Sequence, residues 1–164
     1  TRLRRWAGEH AVPFVILRVP GIYGPGRLPV ERLTRRQPVL REAESPWSNR
    51  VHIDDLVSAC LAAARHGASG AVYNVSDGHP STMTDYFNQV ADAVGFPRPP
   101  QITMAEARAQ LSEGMRSYLA ESKRLDNRRM REELGVEPKY PDLARGLAAC
   151  VVAEAAGEDR EARG

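Results

Sequence analysis

The run Val12-Pro13-Phe14-Val15-Ile16-Leu17-Arg18-Val19-Pro20-Gly21-Ile22-Tyr23-Gly24-Pro25-Gly26 decides how this chain is read. Its first half is a short apolar stretch rich in β-branched residues, and its second half is a Pro/Gly cluster. That is how a buried strand emptying into a backbone-rich loop is written. The strand is expected over Pro13 to Val19, apolar on both faces like a parallel strand covered by helices on each side. In an open α/β sheet, ligands gather at the loops that follow the carboxyl ends of strands, so the Pro/Gly cluster is a place to look for function. Further on, Asn49-Arg50-Val51-His52-Ile53-Asp54-Asp55-Leu56 reads as a second short strand running directly into a helix.

Working outward, Leu3, Trp6 and Ala7 have helical spacing and predict a helix over Arg2 to Glu9. Pro29 suits the first turn of a short helix reaching Arg36, and Pro38 to Arg41 is extended. Asp54 is expected to cap a helix through His66, with Leu56, Val57, Cys60, Leu61 and Ala64 as its core stripe and Gly67 at its end. Ala71 to Val75 predicts a further strand. It empties into Ser76-Asp77-Gly78-His79-Pro80, before a helix from Met83 to Val94 capped by Ser81 or Thr82. Helices are also expected over Met104 to Leu111, over Asp126 to Leu134 with Gly135 as the stop, and from Asp142 through Cys150 and Val152. The charged tail Glu158 to Gly164 is expected to fray. Alternating β and α elements give an α/β class. Two strands buried on both faces need neighbours on their edges, so further strands are expected from another segment or another chain.

Composition narrows the partners. With 164 residues, 42% hydrophobic and 27% charged, the chain has the balance of one soluble globular domain. Its longest uncharged apolar run, Ala11 to Leu17, is too short to cross a bilayer, so no membrane partner is expected. Net charge is +2 from 23 bases against 21 acids, which does not describe a polyanion binder. Lys123 to Arg131 is locally basic. Glu132 and Glu133 follow at once, and Leu125, Met130 and Leu134 supply an apolar stripe, so a solvated helix face is expected rather than a nucleic-acid contact. Cys60 and Cys150, each among Ala, Leu and Val, read as small core residues in a reducing, cytoplasmic compartment. None of His10, His52, His66 and His79 stands at metal-ligand spacing from a cysteine, so no metal is expected.

Other chemistries fail on spacing. Gly21 to Gly26 follows a strand, but Pro25, Arg27 and Pro29 interrupt any glycine-rich phosphate turn that must run straight into a helix. Ser76, Asp77 and His79 are neighbours in sequence, which is not triad geometry, and no Gly-x-Ser-x-Gly elbow occurs. Arg18 sits in an apolar strand and, if buried, needs acceptors such as Asp54 or Asp55.

Together, Val12 to Gly26, Asn49 to Leu56 and the closing Lys123 to Gly135 with Lys139-Tyr140-Pro141-Asp142-Leu143 resemble the second half of an extended or atypical short-chain dehydrogenase/reductase of the NAD-dependent epimerase/dehydratase kind. The resemblance implies the C-terminal part of a Rossmann-like parallel sheet plus a small, mostly helical substrate lobe. It spans residues 1–148, leaving 149–164 as the end of the last helix and a frayed tail, with the N-terminal dinucleotide-binding half absent. It implies that Pro20, Gly21 and Ile22 pass beside a nicotinamide ring, chiefly through backbone groups, with Tyr23 shaping the pocket. Arg18 becomes a structural brace. Arg27, Asn49, Arg50 and His52 are the candidate substrate-side residues, a guanidinium fork suiting phosphate or carboxylate, with Ser122, Lys123 and Arg124 approaching the same cleft.

The pattern is not complete. Tyr23, Tyr73, Tyr86, Tyr118 and Tyr140 are followed four residues on by Arg27, Asp77, Val90, Ser122 and Ala144, so the family's Tyr-x-x-x-Lys pair is missing and no catalytic residue is assigned. Ser48 stands where nucleotide-sugar epimerases tend to place a diphosphate-binding Arg, which points toward the atypical branch. The expected parent is an NAD- or NADP-dependent oxidoreductase moving hydride at a hydroxyl or carbonyl of a small-molecule substrate, sugar-derived or otherwise. The chain alone is expected to be inactive and to bind dinucleotide very weakly, without a pyrophosphate turn. The alternative is a non-catalytic dinucleotide-sensing or protein-interaction module.

Overall fold

A computed structural model describes residues 2–110, 119 and 121–161. Helix α1 (Arg2–Glu9) leads into strand β1 (Ile16–Arg18), and β2 (Gly21–Tyr23) follows across Val19 and Pro20. Next come α2 (Val30–Thr34), β3 (Val39–Leu40), a 3-10 turn (Glu42–Glu44), β4 (Trp47–Ser48), β5 (Arg50–His52) and α3 (Ile53–His66). The chain continues through β6 (Val72–Asn74), β7 (Ser81–Thr82), α4 (Met83–Ala93), β8 (Gln101–Ile102) and α5 (Met104–Gln110). It closes with α6 (Arg128–Leu134) and α7 (Leu143–Glu161).

The α/β class stands, and its strands run mostly parallel: β1 with β6, β2 with β5, and β3 with β8, while β4 and β7 are antiparallel. The stretch expected as one strand from Pro13 divides in two. Proline has no N–H to give a ladder and holds the residue before it extended, so β1 pairs with β6 up to Arg18, and after Pro20 the chain changes partner to β5. The loop expected at Gly21 to Tyr23 is therefore a strand. Leu111, the far end of the expected fifth helix, lies outside the described residues. The last helix stays helical to Glu161, where a frayed tail is expected from Glu158, and residues 162–164 of that tail lie outside the described residues.

Two apolar cores sit on either side of the β2–β5 ladder. One joins Val51, Tyr73 and Val75 to Ala59 and Ala63 of α3 and to Met130 and Leu134 of α6. The other packs Tyr23 with Tyr86, Phe87 and Val90 of α4 and with Leu143, Leu147 and Cys150 of α7. Of the α3 stripe expected from the sequence, Leu56 packs against the core but most of the rest lies on the outer face. Asp55, Ala59 and Ala63 point inward, while Val57 and Leu61 are 50% and 52% exposed and the Cys60 thiol is also exposed. Small alanines let α3 lie close to its neighbours, and the bulkier side chains are left outside. Cys150, by contrast, is fully buried as expected.

Arg18 is exposed at the end of β1 rather than braced inside. Its expected partner Asp55 is buried and accepts the backbone N–H groups of Lys139 (2.7 Å) and Tyr140 (3.0 Å), tying the α6–α7 connection to α3. The cap of α3 is also not Asp54: the His52 ring accepts the Asp54 N–H at 3.2 Å, and Asp54 and Asp55 fill the first turn, where the helix dipole favours acids. Thr82 caps α4, accepting the Asp85 N–H at 2.9 Å. Gly135, at φ 67°, ends α6 in the left-handed conformation.

Tyr23 fixes how closely α7 approaches the ladder. A Cβ on Gly146 would stand 2.0 Å from the Tyr23 hydroxyl and 2.7 Å from its ring, so only glycine leaves room for this side chain. Gly146→Ala should lower the unfolding free energy by about 1–3 kcal/mol through overpacking. Tyr23→Phe, which removes a buried hydroxyl with no hydrogen-bond partner among the described residues, should cost less than about 1 kcal/mol. Urea denaturation of both variants measures the difference.

Candidate functional site

A cavity of about 340 Å³ opens where the start of β2 meets β4 and the segment before α6. Pro20 and Gly21 form one wall, Trp47, Ser48 and Asn49 a second, and Lys123 and Leu125 a third. The structure thus brings together Pro20, Gly21, Asn49 and Lys123, four of the residues proposed from sequence.

Asn49 is buried and holds the third wall in place. Its amide donates to the Lys123 carbonyl at 3.0 Å, and its carbonyl accepts the Leu125 N–H at 2.8 Å. The neighbouring residues continue the zipper: the Trp47 N–H donates to the Ser122 hydroxyl (3.1 Å), and the Lys123 N–H to the Trp47 carbonyl (3.1 Å). Lys123 therefore reaches the cavity as a backbone-anchored neighbour of β4, while Ser122, tied to β4 through its hydroxyl, is not part of the lining. The exposed Arg124 guanidinium stands 5.2 Å over the Trp47 ring, and the Lys123 ammonium pairs with Glu121 at 2.7 Å.

Arg50 is only 5% exposed and lies beneath the wall rather than in it. Its guanidinium donates to the Ser48 hydroxyl, to the Asn49 carbonyl (2.7 Å) and to the Met83 sulfur (3.3 Å), and it stacks 4.1 Å over Tyr86. A Cβ on Gly21 would come within 3.1 Å of it, so the glycine gives the arginine room to lie flat under β2. Arg50 thus shapes the floor of the cavity.

Tyr23 and His52 do not line the cavity. They are register partners at the ends of β2 and β5, fully buried, with rings meeting edge-on at 5.3 Å. Burial lowers the His52 pKa against the raising effect of Asp54. The neutral ring accepts at Nδ1, which puts its proton on Nε2, 3.7 Å from the Cys150 sulfur. Burial in turn pushes the Cys150 thiol up to about 11, so this cysteine is an inert core residue. Ile22 is half-buried against the α3 core, and Arg27 is exposed in a turn away from the cavity wall. Among the described residues no group of three His, Cys, Asp or Glu side chains is placed to hold a metal ion, and no helix is long and apolar enough to cross a membrane. The basic segment is laced with acids: Arg128 faces Asp126, Arg129 faces Glu133 and Arg131 faces Glu137.

Trp47 and Ser48 are not legible as wall residues, because a two-residue strand leaves no periodic mark, and Met83 reaches the cavity from the first turn of α4. Asp77 is a further surprise. It is buried in the turn after β6, its N–H donates to the Arg50 carbonyl (2.9 Å), and one carboxylate oxygen accepts the His79 N–H (2.9 Å). Burial raises its pKa to about 6, outweighing the lowering effects of His79 and Arg50.

The family described as the NAD dependent epimerase/dehydratase family matches residues 2–76. A 3-diazoavenalumate denitrifying reductase from Streptomyces sp is 28% identical over 152 residues, 88% of this chain and 49% of the relative. A protein of unknown function from Silicibacter pomeroyi superposes with TM-score 0.78 at 32% identity, over 92% of this chain and 52% of that one. By these likenesses the chain resembles the NAD dependent epimerase/dehydratase family. UDP-glucose 4-epimerase from Thermotoga maritima, solved with UDP-glucose, is 25% identical with TM-score 0.70 over 96% of this chain and 50% of the epimerase. The chain spans about half the length of these relatives.

Two predictions follow from the wall and the turn. Asn49→Ala should raise amide hydrogen exchange at Leu125 by about tenfold or more, while Asn49→Asp, which keeps the acceptor, should preserve Leu125 protection and release only the Lys123 carbonyl. For Asp77 the folded pKa lies above the unfolded one, so its contribution to stability is present below pH 3.8 and is lost as pH rises through about 6. Asp77→Asn should therefore stabilise the fold at pH 8, by on the order of 2 kcal/mol, and the gain should vanish near pH 4, as read by denaturation at the two pH values.

Proposed function

We propose that this chain is the substrate-side half, residues 1–148 with a helical extension at 149–164, of an NAD(P)-dependent oxidoreductase of the epimerase/dehydratase type. One observation carries the reading: Pro20 and Gly21, entering a parallel strand directly after another, form a cavity wall opposite Trp47, Ser48 and Asn49. A proline ring and a side-chain-free backbone beside an apolar cavity suit the flat ring end of a nicotinamide cofactor, and the described residues offer nothing comparable for a pyrophosphate. A nicotinamide bound there supplies hydride transfer to or from a hydroxyl or carbonyl carbon. In this reading Pro20 and Gly21 orient the ring through backbone groups, and Asn49 keeps the Lys123–Leu125 wall closed against water.

The outer surface supports a missing cover. Among the described residues β1 pairs on one edge only, with β6, and Trp6, Val57 and Leu61 are each about half exposed. A dinucleotide-binding segment supplying the next parallel strand would satisfy that edge. The exposed Cys60 thiol suits a reducing cytoplasm.

Native mass spectrometry of the protein purified from its source, without an engineered boundary, tests the proposal. The expected result is a chain of about twice this length, retaining NAD(H) or NADP(H). A stable species of this mass, free of dinucleotide, overturns it. A dinucleotide-bound parent that transfers no hydride to any carbonyl offered would leave a sensing module in place of the enzyme. The 164-residue chain alone should show no saturable NADH binding below millimolar concentration.

A further inference from the structure

We infer that the cavity between Pro20, Trp47 and Leu125 takes an uncharged, planar, largely apolar hydroxy or carbonyl compound, stacked on Trp47, and rejects nucleoside-diphosphate sugars. The inference rests on the functional reading above for the site's purpose but on separate observations for its chemistry.

The first observation is the wall. Val19, Pro20, Pro46, Trp47, Met83 and Leu125 all face the cavity, so most of its lining is apolar. Trp47 is 43% exposed, so its indole, with the Arg124 guanidinium 5.2 Å over the ring, still offers apolar surface to a ligand. Its backbone is fixed by hydrogen bonds to Ser122 and Lys123 on both its N–H and its carbonyl, so the ring stands on a rigid edge.

The second observation is charge. Among the described residues, the ionisable side chains lining the cavity are Lys123 and Glu121, 2.7 Å apart, one cation against one anion. A diphosphate carries at least two negative charges and is ordinarily held by forked, charge-assisted hydrogen bonds. Here it would meet a carboxylate and a single lysine already paired. Arg50, the guanidinium nearest the wall, lies under it with donors turned to the Ser48 hydroxyl, the Asn49 carbonyl and the Met83 sulfur. Arg124 stands over the Trp47 ring and is not part of the lining. The Asn49 side chain gives one of its two N–H donors and its carbonyl to the Lys123–Leu125 backbone, leaving a single neutral N–H, which is no match for a diphosphate. What remains is an apolar slot with an aromatic wall.

The test uses the full-length protein that carries this chain, with 2-acetonaphthone as the uncharged planar probe and UDP-glucose as the charged one, both followed by saturation-transfer NMR. The expected result is saturable binding of 2-acetonaphthone, weakened about tenfold in Trp47→Ala, as the loss of an aromatic stacking partner implies. Trp47→Phe, which keeps an aromatic face, should stay within about threefold of the wild type, and unchanged thermal melts exclude misfolding. UDP-glucose should neither saturate nor displace the ketone. Displacement by UDP-glucose, equal ketone binding in Trp47→Ala and the wild type, or no saturable ketone binding would each overturn the inference. NADH binding is scored separately on the same samples: its absence defeats the oxidoreductase reading, and the ketone results still decide the chemistry of the cavity.

Discussion

A guanidinium buried as deeply as that of Arg50 must be surrounded by acceptors, since an uncompensated buried charge costs several kcal/mol. The local structure is the set of residues that meet this demand. Ser48 turns its hydroxyl inward, the Asn49 carbonyl and the Met83 sulfur face the same group, and Tyr86 lies under its plane. Gly21 has no side chain because the arginine occupies that space. Since Gly21 is the register partner of Arg50, the same constraint sets where β2 starts, and hence where Pro20 and Gly21 meet the cavity. The Asp77 turn closes the arrangement by donating its N–H to the Arg50 carbonyl. The cavity floor thus rests on a guanidinium whose donors turn to groups of this chain.

The sequence carried the class of the fold and most helices because those depend on periodicity and punctuation. Gly67, Gly95 and Gly135 stand where helices end, and the Val72–Asn74 and Arg50–His52 strands fall inside the predicted ones. It did not carry the short strands, since two or three residues hold no period, nor the division at Pro20, which depends on which partner lies alongside. The inward face of α3 was misread for a physical reason. Hydrophobicity favours Val57 and Leu61 for the core, but close packing against α6 selects Ala59 and Ala63.

The site was half legible for related reasons. Pro20, Gly21, Asn49 and Lys123 share one cavity lining, as a strand-to-loop boundary and a second motif pointing to one place suggest. Arg50 and His52 were named as substrate-side residues because sequence shows residue type and not burial, and the structure turns both inward. Trp47 carried no motif, and only the zipper of Ser122 and Lys123 onto β4 makes it a wall. Tyr23 was judged by its neighbours in the chain, while its position is set by Gly146, more than a hundred residues away in sequence.

A helix whose opposite faces are both apolar is stable in water only when something covers each of them. Helix α3 has that character: one side packs on β5 and α6, while Val57, Cys60 and Leu61 face outward. Strand β1 presents the same problem in hydrogen bonds, with one edge paired and Phe14, Val15 and Leu17 only half-buried above it. The β2–β5 region has no such debt. Arg50, Asn49 and His52 find partners within the chain, although the Tyr23 hydroxyl does not, and the cavity is bounded by residues that hold one another. The described residues are therefore uneven, closely held around the cavity but with an unpaired edge at β1 and exposed apolar side chains on α3. The proposed reading as one lobe of a two-lobed oxidoreductase accounts for that unevenness, because the lobe that shapes the substrate must be rigid by itself while the sheet continues into its partner.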